Sequence, residues 1–96
     1  MAIHSFADAA TERFFTSGRV AQGAGWASVR GVVKRKLDML HYAVALGELR
    51  SPPGNHLEAL KGALRGCHSI RVNDQWRIVF EWTAQGPKRV RVADYH

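Results

Sequence analysis

Asp94-Tyr95-His96 sets a carboxylate, a phenol and an imidazole in consecutive positions, directly after a basic, valine-rich stretch. Three neighbouring groups that can hold or move a proton point to acid-base chemistry, although a polar tripeptide also serves simply to solvate a chain end. Arg71 and Arg77 stand upstream in alternating apolar runs, and the planar donor fork of a guanidinium suits phosphate oxygens. Cutting an RNA strand without a metal needs three things. One group must take the 2'-hydroxyl proton, a cation must stabilise the crowded phosphate, and an acid must protonate the departing 5'-oxygen. Lys61, Arg77, Asp94, Tyr95 and His96 supply those types.

Charge supports an anionic partner. Lys and Arg number 14 against 8 Asp and Glu, a formal charge of +6 over 96 residues, which favours a polyanion such as nucleic acid. Such charge also keeps a small protein soluble, so it does not assign the function alone. A chain of this length forms one domain, residues 1–96, that buries roughly 60 to 65% of its unfolded surface. The lone Cys67 has no internal disulfide partner and reads as a packing residue in a reducing, cytoplasmic setting. No secretion signal or membrane-spanning run is visible, so no membrane partner is expected. The five histidines, His4, His41, His56, His68 and His96, have no paired ligand spacing, and neither a metal nor a cofactor is expected.

The elements that must position these groups follow from periodicity. Ile3 to Phe6 is compatible with a short first strand. Asp8 offers an N-cap and Gly18 a left-handed stop, so a first helix is expected over about Asp8 to Ser17, with Phe14 and Phe15 on its core edge. A glycine-rich connection leads to Trp26, Val29, Val33, Leu37, Leu40 and Val44, spaced as one stripe of a long second helix that Gly47 ends. Arg30, Lys34 and Arg35 lie off that stripe, as a solvated face or a phosphate-tracking one. Ser51-Pro52-Pro53-Gly54-Asn55 breaks the helix, and Leu57 to Gly62 reads as loop. Cys67 to Val72, Gln75 to Trp82 and Lys88 to Ala93 then alternate with period two, joined by Asn73-Asp74 and by Gln85-Gly86-Pro87. The result is an α+β domain, two helices on a C-terminal antiparallel sheet. Trp76, Ile78, Phe80 and Trp82 mark its core face, while Arg71, Arg77, Arg89 and Arg91 fall among the residues interleaved with core positions.

The order of elements, with Leu57-Glu58-Ala59-Leu60-Lys61-Gly62, then His68-Ser69-Ile70-Arg71-Val72-Asn73-Asp74-Gln75-Trp76-Arg77 and the terminal Asp94-Tyr95-His96, resembles the HigB-type toxins of the RelE/ParE superfamily. The resemblance covers essentially the whole chain, and Arg50-Ser51-Pro52-Pro53-Gly54-Asn55 is most similar to the GraT-like branch. It implies a RelE-like fold and the toxin of a type II toxin-antitoxin pair, a metal-independent endoribonuclease that cuts mRNA in the ribosomal A site and arrests growth. It also implies a HigA-like helix-turn-helix antitoxin, with operator DNA bound only through the complex.

By the same resemblance the active site maps onto Lys61, Arg77, Asp94, Tyr95 and His96. Arg77 would stabilise phosphate charge, His96 would transfer a proton, Tyr95 would stack on a base or position the phosphate, and Asp94 would orient His96 or contact a base. Some family members carry a histidine where this chain has Glu58; Glu58 is then a candidate base, with reliance on the ribosomal A site as the alternative. Arg30, Lys34, Arg71, Arg89 and Arg91 are the expected RNA contacts. Two rivals share the fold: a ParE-like toxin that binds DNA gyrase without cutting, and a catalytically silent RNA-binding module.

Overall fold

The computed structural model describes residues 2–94. Its first helix, α1 (Ala9–Ser17), starts where the Asp8 carboxylate accepts the Thr11 N–H at 2.7 Å and stops at Gly18, whose φ of 78° lets its N–H return to the Phe14 carbonyl. The second helix, α2 (Arg30–Tyr42), is entered through a 3-10 turn at Ala27–Val29. Four strands follow: β1 (Glu58–Ala59), β2 (His68–Arg71), β3 (Trp76–Thr83) and β4 (Gly86–Asp94), in the antiparallel order β1-β2-β3-β4.

Ile3 to Phe6 runs extended beside β4. Its only ladder partnership among the described residues is a parallel bridge from Phe6 to Val90, reinforced by His4 N–H to the Pro87 carbonyl and Val90 N–H to the Ser5 carbonyl. This strap covers the outer edge of β4, where Pro87 lacks an N–H to offer.

Val33, Leu37 and Leu40 of α2 and Phe14 of α1 meet Ile70, Ile78, Phe80, Val90 and Val92 from the sheet, with Trp26 edge-on to Phe14 at 4.9 Å between ring centroids. Burying these side chains stabilises the domain by about 1.5 to 3 kcal/mol each before entropy is counted. The first connection lies close to the sheet: a methyl group at Gly25 would fall 2.6 Å from the Trp76 indole, so glycine is what fits there.

Three expectations need correction. The apolar stripe of α2 ends at Ala43, which is buried with extended backbone, leaving Val44 70% exposed; a 3-10 turn at Leu46–Arg50 then runs through Gly47. Leu57–Gly62 is not all loop, since Glu58 and Ala59 pair with Ser69 and His68 as an edge strand. The β3–β4 turn is tighter than expected: Thr83 pairs with Gly86, so Gly86 and Pro87 already belong to β4. A two-residue strand is too short to show alternation, which is why it escaped the sequence pattern. The other turn is as expected, with the Asn73 side-chain oxygen accepting the N–H groups of Gln75 and Trp76.

Candidate active site

The sheet face turned away from the helices is organised around Arg77. In β3 it lies opposite Arg71 of β2 and Ala93 of β4, and it is only 7% exposed, a burial that a guanidinium tolerates when its donors are satisfied. Its Nε donates to Ser69 Oγ at 2.7 Å and its Nη2 to the His56 carbonyl at 2.6 Å, with the Ser69 carbonyl at 3.4 Å. The Glu58 carboxylate stands 3.8 Å from the same Nη2. These contacts fix the plane of the guanidinium before any ligand arrives.

The His56 carbonyl is itself held in place. His56 has a positive φ of 44°, uncommon for a residue with a Cβ, and it follows the fully buried Asn55. The Asn55 amide donates to the Leu49 carbonyl at 3.0 Å and the Ser51 carbonyl at 3.3 Å, while its side-chain oxygen accepts from the Lys36 ammonium. Lys36 is 8% exposed, and burial, followed by repulsion from Arg35 and Arg71, holds its pKa below the ordinary lysine value. The prolyl segment is thereby tied to α2 on one side and to Arg77 on the other.

Lys61 follows β1 directly, immediately before the 3-10 turn at Gly62–Leu64. With Glu58, Ala59, Leu60 and Leu64 it lines an open cleft of about 370 Å³, so Glu58 belongs both to this cleft and to the surroundings of Arg77. Asp94 ends β4 opposite Trp76 and accepts from the Gln75 amide at 3.0 Å, one residue beyond the Ala93 that pairs with Arg77. Tyr95 and His96 lie outside the described residues. Glu58 and Arg77 are thus brought together, whereas the strand register sets Asp94, at the Trp76 end of β3, and Lys61, beyond the Leu60–Cys67 hydrogen bond, toward opposite ends of the sheet.

The expected RNA contacts divide between the two sides. Arg71 flanks Arg77 and is ion-paired with Asp74, and Arg91 shares that face through its register with Val79. Arg30 and Lys34 ride on α2, on the other side of the sheet: Lys34 pairs with Asp38 at 2.6 Å and sits 5.2 Å above the Phe15 ring, while Arg30 donates to the Ala27 carbonyl. Sequence reasoning missed Ser69, Asn55, the His56 carbonyl and Lys36. For Lys36 a signal existed, because residues 33, 36, 37 and 40 form one helical stripe, and a lysine on a core stripe calls for a buried partner.

A fixed guanidinium with the Glu58 carboxylate 3.8 Å away suits a reaction in which negative charge grows on a phosphate. Among the described residues no helix is long and apolar enough to cross a membrane. Toxin HigB-1 of Vibrio cholerae is 49% identical over 55 residues, 57% of this chain and 58% of the relative. An uncharacterized protein of Haemophilus influenzae is 45% identical over 51 residues, 53% of this chain and 50% of the relative. The chain thus spans about half the length of the curated relatives it matches. The family model for the RelE-like toxin of the type II toxin-antitoxin system HigB matches residues 4–96, and the chain belongs to that HigB-like toxin family.

Proposed function

We propose that this toxin is a metal-independent endoribonuclease that cuts mRNA in the ribosomal A site and so arrests translation and growth. The observation that carries the reading is the buried Arg77, held by Ser69 and the His56 carbonyl with the Glu58 carboxylate 3.8 Å away. A cation fixed in this way stabilises phosphate charge without reorganising as the charge develops, which mutational precedent values at about 3 to 4 kcal/mol of barrier.

In this reading a base takes the 2'-hydroxyl proton, the 2'-oxygen forms a bond to phosphorus, and the bond from phosphorus to the 5'-oxygen breaks. A 2',3'-cyclic phosphate remains on one fragment, and an acid protonates the 5'-oxygen of the other. Glu58, 3.8 Å from Arg77, is the candidate base, and Lys61, in the cleft that Glu58 also lines, would add positive charge beside the phosphate. His96 is the candidate acid, which Asp94 would orient, and Tyr95 is the candidate to stack on a base. Arg71 and Arg91 would follow the backbone across the same face, while Arg30 and Lys34 would serve a separate contact. A cognate HigA-like helix-turn-helix antitoxin, binding operator DNA in complex with the toxin, completes the proposal.

End-mapping of one defined mRNA, naked and on programmed ribosomes, with a variant ending at Ala93 alongside, tests this. Cuts within A-site codons that require both the ribosome and Asp94-Tyr95-His96 are expected. Growth arrest with no cut in either setting would instead favour a non-nucleolytic target such as gyrase.

A further inference from the structure

A second basic concavity opens on the same sheet face, separate from the Arg77 cluster. It is a cleft of about 290 Å³ whose lining includes Arg65, Arg89 and Arg91, with the buried Val79 among its wall residues and Glu81 as its one carboxylate. Neither Arg77, Glu58 nor Lys61 lines it.

The strand pairing is irregular beside it. Val79 pairs with Arg91 but Glu81 pairs with Lys88, so β4 carries one residue more than β3 between these points and forms a β-bulge. At that bulge Arg89 takes a φ of 54°, a conformation in which a residue with a Cβ is strained and glycine is not. The strain is held by the N-terminal strap: Ser5 Oγ accepts the Arg89 N–H at 3.0 Å, the Ser5 carbonyl accepts the Val90 N–H, and the Val90 carbonyl accepts the Ala7 N–H. Such strain persists where the surroundings over-determine it, and it clusters at functional positions. Arg89 and Arg91 line one cleft while Val90, between them, is fully buried in the core, as strand alternation dictates, and the extra residue brings Lys88 opposite Glu81. Arg65 reaches the cleft from the β1–β2 connection.

We propose that the cleft lined by Arg65, Arg89 and Arg91 binds a backbone phosphate of RNA, one step along the sheet from the phosphate engaged at Arg77. Three guanidinium groups against one carboxylate suit a phosphodiester, and the planar forks favour its oxygens over a diffuse anionic surface. Arg91 lies two residues along β4 from Ala93, the partner of Arg77, an offset of about 7 Å by strand rise. The proposal rests on the RNA-directed reading above but not on cleavage. The phosphate comes from the message or from ribosomal RNA; the chemistry is the same.

The test uses the full chain and Arg89→Gly, which removes the guanidinium while accepting the positive φ, together with Arg91→Gln. Binding of a non-cleavable 2'-O-methyl oligoribonucleotide is measured by fluorescence anisotropy across a salt series, and binding to message-free ribosomes across the same series. Each variant is expected to weaken binding about tenfold, and to flatten the slope of log affinity against log salt by about 0.7 per lost phosphate contact. The Arg89→Gly melting midpoint should be unchanged or raised. Weakening on the oligonucleotide assigns the site to the message, and weakening on ribosomes alone assigns it to ribosomal RNA. Unchanged affinity and slope in both settings overturn the proposal even if the protein cuts mRNA, whereas the expected losses without any cleavage would support this site and sink the nuclease reading. Should Arg89→Gly melt early, Arg91→Gln decides by itself.

Discussion

The two faces of the sheet are built from alternate residues of the same strands and bury comparable positions by opposite means. On the helix side Ile70, Ile78, Phe80, Val90 and Val92 close a dry core with α1 and α2. On the other side Ser69, Arg77 and Val79 are equally hidden from solvent, yet the central residue is a guanidinium whose burial depends on Ser69, the His56 carbonyl and the nearby Glu58. Apolar packing is non-directional and tolerates any side chain of similar volume, whereas a buried cation needs each acceptor at a set distance. The first face therefore carries stability, and the second carries geometry.

Removing a large core side chain should break this contrast most strongly from the stability side. Phe80→Ala is expected to cost about 3 to 5 kcal/mol in denaturant unfolding. Among the polar supports, Asn55→Ala should come next, at about 2 to 4 kcal/mol, because it strands the Lys36 ammonium along with two carbonyl groups. The same variant should lower cleavage by loosening the His56 carbonyl under Arg77, a loss that an equally destabilising core variant, assayed well below its melting point, would not show.

Ser69→Ala sharpens the comparison. It removes only the acceptor of the Arg77 Nε, so it is expected to cost about 1 to 2 kcal/mol of stability while the single-turnover cleavage rate on ribosomes falls about tenfold. A rate equal to that of the unaltered chain would mean that the guanidinium plane does not matter. The smallest effect belongs to the corner after α2, where the exposed Glu48 carboxylate accepts the N–H groups of Val44 and Ala45, which hold its pKa below the ordinary carboxylate value. A lowered folded value means that the stabilisation is fully present above the unfolded pKa and is lost as pH falls through the folded one. The melting midpoints of the unaltered chain and Glu48→Gln should accordingly differ at neutral pH and converge on acidification.

The apolar face was the legible one. The stripe from Trp26 to Leu40, the capped span from Asp8 to Gly18 and the alternation of Ile70, Ile78, Phe80, Val90 and Val92 all report burial through periodicity, and each lies in the core. Val44 continued that stripe in sequence but not in space, because α2 stops two residues earlier and spacing alone does not show where a helix loses its partner. The polar face was legible in its residue types and not in its wiring. Arg77 and Glu58 were readable as chemistry, but the support from Ser69, Asn55 and a backbone carbonyl rests on contacts between residues 8 to 21 positions apart in the chain. The bulge at Arg89 was hidden for a related reason: one inserted residue in β4 appears only against its partner strand.

The most direct test of the division between the two faces is the single-turnover rate at which Arg77→Gln cleaves a defined mRNA on programmed ribosomes, measured beside its melting midpoint. The account predicts a folded protein whose cleavage is slower by about 10² to 10³-fold, the value of one preorganised charge-stabilising group. A folded Arg77→Gln that cuts A-site codons at the rate of the unaltered chain would contradict it.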